Sequence, residues 1–539
     1  MAGPTVRDAV LDVLRERRLT TLFANPGSTE VPFLTHLPRD FEFVLALHES
    51  SVVGIATGCA IGRSEPALAL LHTTAGLGNA VGALATARVN RAPLVVLVGQ
   101  QDRRHLAHQP FLAGKLHGLA GEYPISVDQP VQAQDLPASI ERAWHEATTG
   151  RGPALVIVPM DDWDAPALDP AEQAAAPGSI LRAAAADQAA VDALGALLEQ
   201  AERPAIVVGA GADEPRAWAA LVELAEKLDA PVWQESFGAR AGFPQDHARF
   251  AGHLPWDRTQ LRSTLDPYDV VLVAGAPAFR QYVYAPGPLY GAGTRVAVVT
   301  DDPAEAHRSA AELVVLAPVA AVCEGLAQRL QPRRPASAAA ERRALAAPVR
   351  GNPLSTAFVF TTLAERLSAD AVVIEETPSS KPELHARIAA RAPLGYVGPA
   401  MGGLGFAMPA AIGLRLALPE RPVVAIVGDG SSLYSFQALW TAAHYRVGAL
   451  FVILANGGYA VMDRLAENAG GSPVWPKFPE IDFCALAGAF GCSARRVVTP
   501  AELEQAFDDE LPTLASRTEP LVLEIVVAPD EAFAPVEAT

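Results

Sequence analysis

The stretch Val423–Leu465, VVAIVGDGSSLYSFQALWTAAHYRVGALFVILANGGYAVMDRL, decides the fold of this chain. Its apolar run Val423–Val427 reads as a strand and breaks at Gly428-Asp429-Gly430. A helix with aromatic and aliphatic spacing is predicted next, and a second apolar run, Leu450–Leu454, breaks at Asn456-Gly457-Gly458. This is one βαβ unit with short oxygen-bearing side chains at the carboxyl ends of both strands. Asp429 and Asn456 therefore arrive at the same edge of a parallel sheet, where open α/β sheets bind ligands. The flanking glycines let the backbone approach a bulky charged group. Hard oxygen donors beside a helix start suit Mg²⁺ completed by diphosphate oxygens. Taken singly, either tripeptide is also an ordinary turn.

Working outward, 539 residues are too many for one core and predict two to four domains. Half of the residues are hydrophobic, enough for large cores and interfaces. The net charge of −18 argues against nucleic-acid and anionic-membrane partners. Cys59, Cys323, Cys484 and Cys492 show no metal spacing and read as reduced thiols of a cytoplasmic protein. No leader pattern and no membrane-length apolar run is present, so a soluble protein is expected.

Strands and helices alternate along the whole chain, which predicts an α/β protein of three parallel-sheet domains. The first spans 1–170, with strands Thr20–Ala24, Phe43–Leu47, Ala67–Leu71 and Leu94–Val98. An acidic, Pro- and Ala-rich run, 160–177, reads as a linker. The second domain spans 180–335 and carries Gly209-Ala210-Gly211 after a strand, a weak nucleotide signal for which structural turns are the better reading. After a second linker, 331–353, the third domain runs over 352–530, and the tail beyond Pro529 is expected to be disordered.

The order and spacing of the two glycine motifs resemble the diphosphate and metal motif of thiamin diphosphate (ThDP) enzymes. The segment Gln437-Ala438-Leu439-Trp440-Thr441-Ala442-Ala443 narrows the resemblance to the ThDP-dependent decarboxylases, benzoylformate decarboxylases above all. Three motifs of the first domain point the same way: Asn25-Pro26-Gly27-Ser28, Leu45-Ala46-Leu47-His48-Glu49-Ser50 and Leu71-His72-Thr73-Thr74-Ala75-Gly76. The resemblance implies that the three domains are pyrimidine-binding, central and diphosphate-binding. It implies ThDP and Mg²⁺ as cofactors, a small 2-oxo acid as substrate, and a homotetramer built as a dimer of dimers with each site shared between chains.

It further implies that Glu49 hydrogen-bonds the aminopyrimidine ring, so that the cofactor can release its thiazolium proton. Ser28 would recognise the substrate carboxylate, and His72 would transfer protons. On the residues alone, Glu49 reads as a helix first-turn charge, Ser28 as a helix N-cap and His72 as a hydrogen-bonded core histidine. Asn79, in the turn with Gly76 and Gly78, is placed on the aminopyrimidine side. Asp429, Asn456 and the carbonyl of Gly458 are the expected metal ligands. Ser379, Gly402, Gly428, Gly430, Ser431 and Tyr459 are expected to contact the cofactor, and Leu404 is expected to wedge it into a bent shape. Lys381, Val461 and Leu465 are the expected substrate-pocket residues.

The chain departs from the family in Ala276-Pro277-Ala278-Phe279-Arg280-Gln281-Tyr282, where Tyr282 stands at the position of a second active-site histidine. A phenol, with an ordinary pKa near 10, exchanges protons poorly at neutral pH. Aromatic 2-oxo acid decarboxylation is the first expectation, with carboligation as a side activity. A carboligase or acyl-CoA lyase is the second, and a weakly catalytic ThDP-binding paralogue the third. His105, His108 and His117 read as surface histidines able to stand in as acid or base.

Overall fold

The computed structural model describes residues 3–169, 178–181, 184–333 and 345–530. Every strand pairing in its three six-stranded sheets is parallel. The first sheet holds β1 (Thr21–Asn25), β2 (Glu42–Leu45), β3 (Ala67–Leu71), β4 (Leu94–Gln100), β5 (Ser126–Asp128) and β6 (Pro153–Pro159) in the order β2-β1-β3-β4-β6-β5. The central sheet holds β7 (Pro204–Val208), β8 (Val232–Gln234), β9 (Phe250–His253), β10 (Val270–Ala274), β11 (Arg295–Thr300) and β12 (Leu313–Leu316), ordered β12-β11-β10-β7-β8-β9. The third holds β13 (Val372–Glu376), β14 (Tyr396–Val397), β15 (Val423–Gly428), β16 (Leu450–Ala455), β17 (Ser493–Val497) and β18 (Leu521–Val526), ordered β14-β13-β15-β16-β18-β17. The first and third sheets thus share one topology although their sequences show no repeat.

Strands buried on both faces are continuous apolar runs, as the central strands of doubly wound sheets must be. β3, β7, β10, β15 and β16 follow that rule, as does β4 through Val98, and it is why such strands are legible. The strands that escape a sequence reading are short or at sheet edges, like β5, β8, β9, β12 and the polar, half-exposed β17, or bracketed by prolines, like β6.

Three expected segments are corrected. The single helix expected after Gly430 is two, Asp429–Ser432 and Ala438–His444, because the Ser432 hydroxyl donates to the Asp429 carbonyl at 2.7 Å and closes one isolated turn. The expected turn through Asn79 is helix, Thr73–Val89, whose first bond runs from Gly76 N–H to His72 C=O at 2.6 Å. The expected linker 160–177 begins inside the first domain instead. Trp163 stacks on Phe33 at 4.4 Å and the buried Asp162 pairs with Arg103 at 2.6 Å. The remainder of that run, 170–177, the middle of the second linker, 334–344, and the tail from 531 lie outside the described residues.

The first and third domains meet through helices Glu49–Arg63 and Ala407–Ala417. Gly54, Gly58 and Gly62, spaced four apart, lie on one helical face and face Pro409, Ala410 and Ala417. A Cβ at Gly413 would lie 1.9 Å from the Ile55 carbonyl oxygen, a contact between two backbones with no flexible side chain to yield. Gly413→Ala is therefore expected to destabilise the protein by about 3 kcal/mol, the upper range of overpacking. A thermal melt within 1–2 °C of wild type, far below the ~6–12 °C that such a loss moves a domain of this class, would contradict that packing.

In the central domain the crevice at the switch point between β7 and β10 is filled by protein. Gly211 N–H donates to Gly275 C=O at 2.8 Å, and Cβ atoms on Gly209 and Gly211 would lie 2.8 Å from Glu235 Oε2 and 3.2 Å from Arg91 Nη1. Gly209-Ala210-Gly211 serves close packing here. No helix among the described residues is long and apolar enough to cross a membrane.

Candidate active site

Open α/β sheets bind ligands beyond the carboxyl ends of their strands where the strand order reverses. In the first sheet that point lies between β1 and β3, and Asn25, Glu49 and His72 stand at or just beyond the ends of β1, β2 and β3. Glu49 is buried at the start of its helix and accepts from Asn25 Nδ2 at 3.3 Å and from Asn79 Nδ2 at 3.0 Å. Two amide donors thus fix both carboxylate oxygens. A Cβ at Gly76 would lie 3.2 Å from the Leu71 carbonyl carbon and 3.5 Å from both Glu49 Cγ and His72 Cβ, so this helix start packs against the end of β3 beside both side chains.

His72 is held from behind by a residue the sequence did not single out. The buried Glu30 accepts at Oε2 from Gly27 N–H at 2.7 Å and lies 3.0 Å from His72 Nδ1, while the Thr29 hydroxyl donates to Oε1. A carboxylate between donors offers only acceptors, so Nδ1 carries the proton and Nε2 is left as the ring's acceptor. Gly27 lies flat on the imidazole, since a Cβ there would fall 2.4 Å from the ring. Ser28 is exposed in the same turn, one residue after Gly27, and does not cap the helix that follows, whose N-cap is Glu30. A lone Glu before Val-Pro-Phe-Leu looks like a helix-start charge, which is why its role is invisible in sequence.

Gly99 makes room for that carboxylate: a Cβ there would lie 1.7 Å from Glu30 Oε1. Gly99→Ala must push Glu30 off His72, and is expected to lower turnover about 10-fold or more, the low end of acid–base contributions, with the substrate KM little changed. A variant with wild-type kcat and an unshifted pH profile would show that Glu30 does not position the imidazole.

On the third sheet the reversal lies between β13 and β15. Asp429 is buried just after β15 and accepts from the N–H groups of Gly430 at 2.7 Å, Asn456 at 2.8 Å and Gly457 at 2.6 Å. The Asn456 side-chain oxygen accepts from Gly458 N–H at 3.1 Å, and Gly457 takes the left-handed φ of +76° that closes the turn. Burial raises the Asp429 carboxyl above the ordinary carboxylate range, against the pull of those backbone donors. A buried carboxylate, an amide oxygen and a backbone carbonyl in one turn are a hard-oxygen set whose desolvated charge a divalent cation would offset, so these residues fit Mg²⁺. A Cβ at Gly430 would lie 2.5 Å from the Tyr459 ring, which also meets Phe478 edge-on at 5.1 Å.

Around this turn, Gly428 ends β15, the buried Ser431 lies in the short helix after Asp429, and Ser379 lies half-buried in the turn after β13. Val461 and Leu465 are half-buried one helical turn apart on helix Ala460–Asn468. Lys381 starts helix Lys381–Arg387 and pairs at 3.2 Å with the buried Glu375, which also binds the Tyr396 hydroxyl at 3.1 Å. Gly402 has φ +72°, and Leu404 stands 37% exposed two residues on. Glu376, a second unforeseen residue, accepts from the N–H groups of Gly405, Phe406 and Ala407 at 2.7, 2.8 and 2.7 Å. Tyr282 is 64% exposed in the central domain, and His105, His108 and His117 are exposed on the first. The four cysteines are free thiols.

Comparison with known proteins identifies the family. The models of the thiamine pyrophosphate enzyme N-terminal TPP binding domain, central domain and C-terminal TPP binding domain match residues 4–119, 191–326 and 380–525. The chain is 38% identical over 517 residues to a benzoylformate decarboxylase of Pseudomonas aeruginosa, covering 94% of this chain and 96% of that one. The solved Rhodococcus jostii thiamine diphosphate-dependent 4-hydroxybenzoylformate decarboxylase superposes with a TM-score of 0.92 at 35% identity, covering 98% of this chain and all of that one. The Polynucleobacter necessarius benzoylformate decarboxylase gives a TM-score of 0.91 at 30% identity over 98% and 99% of the two chains. The chain belongs to the thiamine pyrophosphate enzyme family. Within it, the protein is a ThDP-dependent decarboxylase of the benzoylformate decarboxylase type.

Proposed function

We propose that the protein catalyses the ThDP- and Mg²⁺-dependent, non-oxidative decarboxylation of an aromatic 2-oxo acid, benzoylformate or a ring-substituted relative, to the aldehyde and carbon dioxide. The observation that carries this reading is the pairing of Glu49, gripped by Asn25 and Asn79, with His72, whose Nδ1 is engaged by Glu30 and whose Nε2 is left free.

When bound, ThDP supplies the nucleophilic carbon and the electron sink that a 2-oxo acid needs to lose carbon dioxide. Asp429, the Asn456 side-chain oxygen and the Gly458 carbonyl would hold Mg²⁺, which would supply positive charge to bind the cofactor's phosphates. Glu49 binds the pyrimidine side of the cofactor through a carboxylate whose orientation two amides maintain. Asn79 acts through that carboxylate. Ser28, exposed in the turn after β1, is available to the substrate carboxylate, and His72 exchanges a proton at Nε2. Val461 and Leu465 offer an apolar wall that suits an aromatic ring. Lys381, engaged by Glu375, shapes the wall without presenting a free charge.

The two residue sets sit on different sheets, and Leu404, Tyr434 and Tyr459 are exposed beside the metal turn. Exposed apolar side chains at that position support a site completed by a second copy of the chain, within a dimer of dimers. Carbon dioxide release from a panel of aromatic and aliphatic 2-oxo acids, with ThDP and Mg²⁺, tests the reading; turnover confined to aliphatic acids, or none at all, would overturn it. Tyr282 in place of an imidazole favours a second reading in which slow proton delivery leaves the bound product open to a second aldehyde. Product analysis with added aldehyde separates the two: a 2-hydroxy ketone as main product supports carboligation.

A further inference from the structure

Residues 398–405 form the loop that carries Gly402 and Leu404, and all three domains fasten it. From the first domain, Asn90, fully buried at the end of helix Thr73–Val89, donates from Nδ2 to Gly398 C=O at 3.0 Å and accepts at Oδ1 from Ala400 N–H at 3.0 Å. From the central domain, Arg280 donates from Nη1 to Ala400 C=O at 3.2 Å and to Phe237 C=O at 3.3 Å, and its Nε lies 3.3 Å from the buried Glu235. From the third domain, Glu376 takes the N–H groups of Gly405, Phe406 and Ala407. Arg240 in turn donates from Nη1 to the Asn90 carbonyl at 3.0 Å.

Gly402 and Gly405 both take positive φ, so the loop bends sharply on either side of Leu404. Left to itself such a loop would sample many arrangements, and its apolar tip would have no fixed place. Burying an amide side chain is unfavourable unless both of its polar ends are bonded, and both ends of Asn90 are used on this loop. Arg280 adds a charged donor at the carbonyl of the residue whose N–H Asn90 holds, so Ala400 is gripped at both of its backbone polar atoms. From this geometry we infer that Asn90 and Arg280 are positioning residues: they set the 398–405 loop so that Leu404 meets the cofactor at one height, and turnover depends on the first and central domains closing on the third. This rests on the reading of Leu404 as a cofactor contact.

Asn90→Ala is expected to weaken ThDP binding about 10-fold, measured by calorimetry, the scale of two lost hydrogen bonds. It is expected to lower kcat about 10-fold at saturating ThDP while leaving the 2-oxo acid KM within about twofold. In a Leu404→Ala background the same substitution is expected to add at most about a twofold loss, because residues acting through one contact are not additive. Additive losses, or wild-type ThDP affinity and kcat in Asn90→Ala, would overturn the inference. If Asn90→Ala does not fold, Arg280→Met combined with Glu235→Gln, which removes charge and countercharge together, carries the same comparison. Burial already pushes Glu235 up to about 7, so a neutral side chain suits that place. Should Leu404→Ala alone leave ThDP affinity and kcat untouched, the reading of Leu404 fails. A loss in Leu404→Ala with none in Asn90→Ala fails only the positioning role.

Discussion

Glu49→Gln is expected to lower carbon dioxide release from an aromatic 2-oxo acid by roughly 10²–10⁴-fold, the contribution of a well-placed acid–base group. Gln has the same shape, so the corner formed with His72 and Gly76 keeps its packing. One of the two amide donors, Asn25 or Asn79, would then meet an NH₂ group instead of an oxygen, a modest local cost of about 1–3 kcal/mol. Folding and assembly should therefore survive, and the loss should fall on kcat at saturating ThDP. Turnover above a tenth of wild type would mean that Glu49 does not activate the cofactor, and would favour its role as an ordinary first-turn helix charge.

Asp429→Ala is expected to have the second large effect. Its carboxylate is the common acceptor for three backbone N–H groups that join the end of β15 to the turn after β16, so removing it frees three donors and the negative charge that would attract the cation. Substituting residues that merely orient a metal ligand already costs 10–100-fold in affinity, so loss of a ligand should cost at least about 100-fold in Mg²⁺-dependent ThDP binding. Calorimetry in the presence and absence of Mg²⁺ reads this directly. Binding as tight as wild type, with unchanged metal dependence, would remove Asp429 from the metal site.

Why some of this was legible and some was not follows from particular residues. Strands buried on both faces have no choice of composition, so the runs ending at Asn25, His72, Asp429 and Asn456 could be read directly, and with them the sheet edges that carry the site. Turn-like glycines were harder. Thr73–Asn79 reads as a turn because Gly76 and Gly78 suggest one, yet it is helix, and a Cβ at Gly76 would crowd the Leu71 backbone at 3.2 Å. Trp163, in an acidic Pro-rich run that looks like linker, is core because Phe33 offers it a face.

By itself, the amino-acid sequence determined the three-domain parallel α/β architecture, because hydrophobic periodicity is a local property of the chain, and its motifs carried the resemblance to the ThDP family that singles out Glu49, His72, Asp429 and Asn456 as candidates. Only the tertiary structure decided which groups hold those residues. Glu30 lies 42 residues from His72, Asn79 lies 30 from Glu49, and Asn90 lies more than 300 from the loop it fastens. Hydrogen bonds across such separations depend on how sheets stack and helices dock, and nothing in the local pattern of Glu30 or Asn90 sets them apart from a helix-start charge or a helix-end amide.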